Sequence, residues 1–559
     1  MRELPEKFVR FKTEMAGIDL PKRFTFPFYY QPHDITKIAV NELQDYLKTN
    51  DFNHDFGLNA AHKKAIGKMF GVLVVRHTDG TLGYLAAFSG KLGGTNHHEQ
   101  FVPPVYDILQ KEGFYLQEEK EISAINATLE KLESDPSYLN LRARIKSIAA
   151  QHEKNIEQQR SIMRTAKAAR KQKRQEGEHH LSTEEYQQLC DNLAQESISY
   201  QLQLKDMRYE QQRELKALQV ELEEYTAKIK ALKTERANRS AVLQNKVFDA
   251  YQFLNIRNDT QSLMPIFEST AFRRPPAGAG ECAAPKLLQY AFQHDLEPIA
   301  MAEFWWGAPP KTRIRRHGHF YPACQGKCAP ILDHMLDGMN VEENPLLHNY
   351  GNNKEISIVY EDPYIAVVDK PEGLLSVPGK QIEDSVQERM KLHFENATGP
   401  IIVHRLDMST SGLMVLAKNE IAYKILQRQF LDRSIRKKYL ADLEGCLNKE
   451  HGTIELPMRQ DVLDRPRQMV CHEQGKSAST QWQVLRSDGQ ITRIAFYPIT
   501  GRTHQLRVHA AHYSGLNAPI VGDDLYGKMD DRLHLHAHSI TFEHPKTKKL
   551  VTFESPAPF

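Results

Sequence analysis

The sequence predicts an α+β protein that contains a long helical segment, and three features of the chain support this prediction. Residues 355–559 contain more strand-like than helix-like segments and lack the regular strand–helix alternation of a parallel sheet. Residues 117–245 contain a single proline and long runs of Glu, Lys, Arg and Gln. An N-terminal α/β region is predicted from two globular segments, which are candidates for one discontinuous domain. The predicted regions are 1–115, 116–250, 251–350 and 355–559.

The composition of the 559 residues excludes several classes of protein. With 73 Lys and Arg against 71 Asp and Glu, the net charge is +2, so nucleic-acid binding requires local basic patches. Six cysteines are too few for a disulfide-built secreted scaffold of this length. The start of the chain lacks the apolar core of a signal peptide, and no apolar run is long enough to span a membrane. We therefore expect a soluble protein of the cytoplasm.

The order of helices and strands in the two N-terminal globular segments can be predicted from their sequence. Phe70–His77 and Thr81–Gly90 are β-prone, and the Asp79-Gly80 turn between them predicts a hairpin. A helix is predicted over Cys282–Phe292, followed by a strand in the sequence LEPIAMAEFWWG. The sequence PACQGKC then leads into another helix.

The helical segment has the apolar spacing of a coiled coil. Leucine, isoleucine and tyrosine recur every three or four residues, at Leu215, Leu218, Leu222, Tyr225, Ile229 and Leu232. A break at Gly177–His180 is followed by a helix-start signal at Ser182–Glu185. Two helices that turn back near Gly177 would form an antiparallel hairpin. A parallel dimer, in which the chain associates with itself, fits the same spacing.

One part of this segment is strongly basic. Its cationic side chains are Arg160, Arg164, Lys167, Arg170, Lys171, Lys173 and Arg174. They indicate either a solvated helix surface or an arm that contacts RNA phosphates.

The strongest chemical signal is HRLDMSTSGLMVLAKN, from His404 to Asn419. The charged cluster precedes a polar turn and an apolar strand, which places Asp407 in a loop at the edge of a sheet. There the carboxylate can face a cleft and take part in chemistry. The alternative is a structural aspartate that caps the turn.

Four further motifs surround this one in a fixed order. They are DKPEGLLSVPG, RKKYLA, RPRQMV and PITGRTHQLRVHAA. Together with HRLD they resemble the RluA-type pseudouridine synthases over residues 355–559. The sequence RPRQMV followed by GKSAST is similar to the RluA branch, whose members modify large-subunit rRNA and in some cases tRNA. The resemblance implies a C-terminal pseudouridine synthase fold with a largely antiparallel mixed sheet.

The resemblance also implies a reaction, the isomerisation of uridine to pseudouridine in structured RNA. The bond from C1′ to N1 is broken, the uracil turns, and C5 is joined to C1′. Asp407 matches the essential aspartate of the family, and it could attack C1′, attack C6, or assist formation of a glycal. No metal or organic cofactor is expected at this site. The competing hypothesis is a catalytically inactive RNA-binding scaffold.

Other site residues follow from the same match. Tyr439 is expected to stack on the uracil and help to remove the C5 proton, although a core tyrosine is the alternative. Arg507 is expected to form an ion pair with Asp407, with Arg502 as the second choice. Arg405 would fill the space left by a flipped base or contact phosphate. The predicted contacts to the RNA backbone are Lys370, Arg436, Lys437, Lys438, Arg465, Arg467 and Arg502.

A second constellation involves Cys282, Cys324 and Cys328, near which lie His317 and His319. In a reducing compartment such clusters favour zinc over a disulfide. The order of elements resembles a zinc deaminase-like fold. Two departures disfavour deamination, because the expected Cys-Ala-Glu reads Cys-Ala-Ala and the cysteine pair has C-x3-C spacing. The region is therefore predicted to be a structural zinc site or a metal-free scaffold.

All of the catalytic motifs follow residue 355. A fragment that starts near Asn352 is therefore predicted to retain the chemistry. The N-terminal half would then contribute mainly to RNA binding.

Overall fold

The computed structural model describes residues 3–15, 17–58, 65–110, 113–394 and 397–559. The chain forms two compact units. One unit consists of Met1–Asp107 and Phe248–Phe559, and the other of Ile108–Val247. Within the described residues, no helix combines the length and the apolar character needed to cross a membrane.

The first unit begins with one helix and a β-hairpin. Its first elements are β1 (Val9–Arg10), α1 (Asp34–Thr49), β2 (Lys68–Arg76) and β3 (Leu82–Phe88). Strands β2 and β3 pair in antiparallel register, which confirms the predicted hairpin. The turn depends on Gly80, whose φ of +88° is rarely adopted by residues with a side chain.

The second unit consists of three helices, α2 (Phe114–Glu133), α3 (Pro136–His180) and α4 (Thr183–Ala250). The predicted helix start at Ser182 is confirmed. The backbone N–H of Ser182 donates to the Glu185 carboxylate at 3.1 Å, and the N–H of Glu185 donates to Ser182 Oγ at 3.5 Å. This reciprocal pair satisfies two backbone donors at the start of α4.

Helices α3 and α4 run antiparallel within one chain. His152 bonds to Glu214 at 2.9 Å, whereas Arg170, further along α3, pairs with Glu196 at 3.3 Å. The partner thus moves backwards along α4 as the position advances along α3. Leu129 of α2 packs with α3 and α4 in a small apolar core. These contacts are those of a hairpin.

The chain then returns to the first unit. The elements are β4 (Gln252–Leu254), β5 (Thr260–Ser262), α5 (Leu263–Glu268), α6 (Ala283–Gln293), β6 (Glu297–Trp306), α7 (Ala329–Met335) and a 3-10 turn at Pro345–Leu347. Strand β6 pairs with β2, so the sheet order is β1-β3-β2-β6. Segments on both sides of the helical unit therefore build one antiparallel sheet.

Helices cover both faces of this sheet. On one face, Phe70 and Phe304 pack with Leu43 of α1. On the other face α6 approaches closely, because a Cβ added to Gly71 would lie 3.0 Å from the Cβ of Ala283. Successive residues of a strand point to opposite faces, so β2 is buried on both sides.

The C-terminal region contains a nine-stranded sheet. Its elements are β7 (Ser357–Glu361), β8 (Ile365–Lys370), α8 (Val386–His393), β9 (Ser411–Ala417), α9 (Glu420–Leu431), β10 (Arg436–Glu444), β11 (His451–Glu455), β12 (Met458–Gln460), β13 (Gln468–Val470), β14 (Ser479–Ser487), β15 (Ile491–Pro498), α10 (Gln505–Ala511), β16 (Leu535–Glu543) and β17 (Leu550–Glu554).

The order is β11-β14-β15-β10-β16-β9-β8-β7, with β17 beside β16 and a separate β12–β13 pair. The β9–β16 pair is parallel and the other pairs are antiparallel. The predicted largely antiparallel mixed sheet is therefore confirmed.

One residue from before this region belongs to its core. Ile314 is 7% exposed and lies in the same apolar cluster as Leu443 and Phe496. The segment that follows β6 thus completes the packing of the C-terminal sheet.

Candidate active site

A cleft of about 970 Å³ lies on the C-terminal sheet domain. Its walls come from the HRLD loop, from Tyr439 on β10, and from the turn and helix of the GRTHQLR motif. Motifs that are far apart in the sequence are thus brought together around one cavity. The cleft also contains Pro466 of the RPRQMV motif.

Asp407 lies in the loop before β9 and is half-buried. The loop is held by Ser376, whose Oγ donates to the Leu406 carbonyl at 2.7 Å and accepts from the Leu406 N–H at 3.1 Å. The Asp407 carbonyl accepts from Thr410 at 3.1 Å. Among the described residues, no hydrogen bond or ion pair engages the Asp407 carboxylate, so it is not a turn cap. The carboxylate is therefore free to contact a substrate.

Lys370 supports this loop from beneath. Its ammonium donates to the carbonyls of Pro371, Leu374 and Met408 at 2.9, 2.8 and 3.0 Å. Burial lowers the pKa of Lys370 to about 7, and the charge of Asp407 acts in the opposite direction. The side chain is 0% exposed, so the predicted RNA contact is wrong. The hydrogen bonds to the three carbonyls hold the ammonium in the interior. One of them fixes the backbone of Met408, the residue next to Asp407.

We expect Lys370→Met to destabilise the domain, because a thioether cannot donate to the three carbonyls. Each buried carbonyl that loses its donor costs about 1–3 kcal/mol. Thermal unfolding followed by circular dichroism would measure the change. Exposed Lys380 in the same region is the control, and Lys380→Met should change stability by less than about 0.5 kcal/mol. Equal melting temperatures for the two variants would contradict the supporting role of Lys370.

Tyr439 lines the cleft from β10, where the pairing with β16 is irregular between Lys438 and Tyr439. Burial raises the pKa of the Tyr439 hydroxyl, and the charge of Asp407 raises it further. The hydroxyl is therefore protonated at neutral pH. The structure places the ring and the carboxylate in one cavity.

Arg507 lines the cleft but has different partners from the predicted one. Its Nε and Nη2 donate to Asp523 at 2.9 and 2.5 Å, and Nη2 also donates to Asp524 at 2.6 Å. No described ion pair joins Arg507 to Asp407, so the prediction that these two residues pair is wrong. The physical reason is that two buried or half-buried carboxylates surround the guanidinium.

The pair Asp523-Asp524 was not singled out by the sequence analysis. The feature that could have indicated this pair is two adjacent acidic residues in the otherwise uncharged sequence VGDDLYG, which follows the GRTHQLR motif. Asp524 also accepts a hydrogen bond from Tyr29 of the N-terminal segment at 2.7 Å.

The predicted RNA contacts fall into two groups. Arg405, Arg436 and Arg465 are exposed, and Arg502, Lys437 and Lys438 are partly exposed. Arg467 is only 7% exposed, and the prediction that it contacts RNA is wrong. Its guanidinium pairs with Asp464 at 3.1 Å and donates to the Leu525 carbonyl at 2.9 Å. Arg502 reaches the cleft, where its Nε donates to the Ser477 carbonyl at 3.1 Å.

Two histidines form parts of the cleft wall. His404 accepts from the Val415 N–H at 3.0 Å and stacks on Phe430 with ring centroids 4.6 Å apart. Burial lowers the pKa of His404 to about 3, so the ring is neutral. His504 has a φ of +54° and bonds to the Tyr526 hydroxyl at 2.9 Å. Both rings have structural contacts.

The three cysteines of the N-terminal half are brought together. The Sγ atoms of Cys282, Cys324 and Cys328 all lie within 4.8 Å of one another. Neither His317 nor His319 belongs to this described group. His317 instead accepts from the Gly307 N–H at 3.1 Å.

Residues 364–512 match the model of the RNA pseudouridylate synthase family. The chain is similar to the dual-specificity RNA pseudouridine synthase RluA of Yersinia pestis, with 44% identity over 210 residues, 36% of this chain and 99% of the relative. The protein of the same name from Escherichia coli K12 is 42% identical over 223 residues, 38% of this chain and 99% of the relative. The solved structure of human RNA Pseudouridylate Synthase Domain Containing 1 has 30% identity, covers 37% of this chain and 85% of that one, and has a TM-score of 0.32.

Proposed function

Because this chain belongs to the RluA family of RNA pseudouridine synthases, we propose that Asp407 is the carboxylate with which it isomerises uridine in RNA. One observation carries the assignment. Asp407 lies in the cleft beside Tyr439, and no described hydrogen bond or ion pair engages its carboxylate. The charge of buried Lys370 acts on it only through space. A structural aspartate would be hydrogen-bonded to its surroundings. Pseudouridine synthases need no cofactor, because the isomerisation is redox-neutral.

The RNA is proposed to be a stem-loop of large-subunit rRNA or tRNA. The relatives from Yersinia pestis and Escherichia coli are named as dual-specificity enzymes, which supports more than one RNA substrate. A uridine in a stem must leave its stack to reach Asp407. Exposed Arg405, two residues before Asp407, can occupy the vacated space. The proposed contacts to the RNA backbone are Arg436, Lys437, Lys438, Arg465 and Arg502.

The reaction requires an ionised carboxylate near the sugar and the base. The bond from C1′ to N1 breaks, the freed uracil turns, and C5 bonds to C1′ while the C5 proton leaves. Asp407 can add to C1′, add to C6, or assist glycal formation, and each path uses the unpaired carboxylate. The neutral hydroxyl and ring of Tyr439 support stacking on the uracil and relay of the C5 proton.

We expect Tyr439→Phe to lose most of the activity. The phenylalanine ring preserves stacking, whereas the missing hydroxyl removes a group that relays protons, an effect of about 10²–10⁴ on the rate. Single-turnover pseudouridine formation on saturating RNA would measure the loss. The control is Tyr423→Phe on α9, whose hydroxyl bonds to Gln427 at 3.2 Å. If Tyr439→Phe reacts at the wild-type rate, the hydroxyl has no part in proton relay and the role of Tyr439 is limited to stacking.

The test of the function itself uses the full-length protein and transcribed rRNA and tRNA. Carbodiimide mapping should detect pseudouridine at specific sites, and total RNA from a deletion strain should lack them. The competing hypothesis is an inactive RNA-binding scaffold. Tight RNA binding without any pseudouridine in either experiment would favour the scaffold.

For the N-terminal half we propose one discontinuous deaminase-like domain, interrupted by an antiparallel coiled coil. The pairing of β2 with β6 supports the discontinuous domain. Cys282 precedes α6 and Cys328 precedes α7, which supports the deaminase-like order. Residue 284 is alanine, so deamination is not part of the proposal. The exposed basic side chains of α3 are proposed to contact RNA phosphates. The three cysteines are compatible with structural zinc.

A further inference from the structure

The three cysteines of the N-terminal domain form a compact donor set. Cys282 and Cys328 lie at the starts of α6 and α7, and Cys324 lies at the other end of the loop that leads to Cys328. All six cysteines of the chain are free thiols, and the Sγ atoms of Cys324 and Cys328 are 3.4 Å apart. Tetrahedral zinc with sulfur at 2.3 Å requires Sγ atoms about 3.8 Å apart. The observed separations need little adjustment to accept the ion.

A buried carboxylate lies near these thiols, outside the group of three mutually close sulfur atoms. Glu303 on β6 is 3% exposed, and its carboxylate accepts from the Ala284 N–H at 3.3 Å in the first turn of α6. Among the described ion pairs, none joins Glu303 to a lysine or an arginine. A divalent cation would offset the cost of burying this charge.

The loop between Cys324 and Cys328 contacts the catalytic domain directly. The Gly326 N–H donates to the Leu463 carbonyl at 2.6 Å. A Cβ at position 326 would lie 2.5 Å from the Leu463 Cα, so no side chain fits between the two backbones. The two thiols at the ends of this loop therefore each lie two residues from this contact.

Residues before the loop bind the same segment. Arg313 Nε pairs with Asp461 at 2.6 Å, and Arg315 Nη2 pairs with Asp464 at 3.0 Å. The Thr312 carbonyl accepts from the Val470 N–H at 3.1 Å. Residues 312–326 thus bind segment 461–470 at both ends and in the middle. They are anchored upstream by β6 and downstream by the thiol cluster.

Segment 461–470 also forms part of the catalytic cleft. Pro466 lines the same cavity as Asp407. Arg467 donates to the Leu525 carbonyl at 2.9 Å, next to the carboxylates that hold Arg507. A displacement of the segment would therefore move a wall of the cleft.

We propose that a zinc ion held by Cys282, Cys324 and Cys328 clamps segment 461–470 in place through Gly326. The inference rests on the proposed isomerase function of the cleft, and it assigns the N-terminal domain a positioning role there. The zinc ion touches neither RNA nor Asp407. Its occupancy sets the efficiency of isomerisation by fixing the wall that contains Pro466.

The first experiment measures the metal in the full-length protein. Elemental analysis should find about one zinc per chain, and Cys324→Ser/Cys328→Ser should lose it while the control Cys446→Ser on an exposed cysteine keeps it. Metal-free protein, or a Cys324–Cys328 disulfide found by mass spectrometry, would overturn the proposal.

The second experiment keeps every ligand and perturbs the contact. Gly326→Ala should retain zinc, raise hydrogen exchange in segment 461–470, and lower kcat/KM for RNA about tenfold, because a wall of the cleft shifts. The matched control is Gln325→Ala, which removes a side chain from the same loop without entering the contact. Zinc removal from the wild type should raise exchange in the same segment. Unchanged exchange and kcat/KM in the zinc-loaded Gly326→Ala protein would overturn the clamp.

The two proposals fail in different ways. If the wild-type protein binds zinc and shows the hydrogen-exchange response but forms no pseudouridine, the isomerase function is contradicted. The clamp would then be only a structural link between the domains. If the wild type is active but its hydrogen exchange and kcat/KM do not change when zinc is removed, the clamp is contradicted and the isomerase function is not.

Discussion

Asp407→Asn is expected to abolish pseudouridine formation while the fold and the RNA affinity are retained. The amide has almost the same shape as the carboxylate, but it is uncharged and a poor nucleophile. Because the Asp407 carboxylate has no described partner, the substitution breaks no hydrogen bond or ion pair in the protein. Replacement of a residue that acts directly on the reacting atoms costs on the order of 10⁴-fold in rate.

The measurement is single-turnover isomerisation, with RNA binding and melting temperature recorded on the same preparations. The control is Asp432→Asn, at an exposed aspartate that pairs with exposed Arg428. It should leave rate, affinity and melting temperature unchanged. Turnover of the Asp407→Asn protein near the wild-type rate would remove Asp407 from the mechanism.

Arg507→Met is expected to cause a large loss of stability. Methionine fills much of the space but leaves Asp523, whose side chain is 0% exposed, without its cation. Breaking a buried pair from one side costs about 3–5 kcal/mol. With an unfolding entropy of about 2.1 cal/mol/K per residue, this corresponds to a fall in the melting temperature of roughly 3 to 6 °C for the compact unit that contains Arg507.

Calorimetry of the full-length protein would measure this fall. The matched control is Arg428→Met, which breaks an exposed pair with Asp432 and should cost less than about 1 kcal/mol. Adding Asp523→Asn to Arg507→Met should restore part of the stability, because the unpaired charge is removed. A melting temperature of Arg507→Met that equals that of the control would contradict the buried pair.

The sequence by itself predicted the position of the chemistry. Asp407 and Tyr439 could be assigned because each lies in a short motif whose residues are neighbours along the chain. The elements around them were also predictable, since the hairpin at Gly80 and the helix start at Ser182 depend on local backbone preferences. Local signals of this kind need no knowledge of the rest of the molecule.

Only the tertiary structure decided which charges are buried and with what partners. Lys370 and Arg467 have the same appearance in the sequence as the exposed Arg405. Lys370 turns inward because its acceptors include the carbonyl of Met408, which is distant in sequence. Arg507 selects Asp523 rather than Asp407 because the fold brings Asp523 beside α10. Burial depends on such non-local contacts, and residue type does not reveal them.

The same reason limits the prediction that a fragment starting near Asn352 retains the chemistry. All of the catalytic motifs lie in that fragment, as the sequence showed. The structure adds that Ile314 completes its apolar core, that Arg315 pairs with buried Asp464, and that Tyr29 bonds to Asp524. The fragment would expose apolar surface and leave carboxylates without these partners, so we expect it to be less stable and less active. The sequence predicted the catalytic residues, whereas long-range packing decided how much of the chain is needed to hold them.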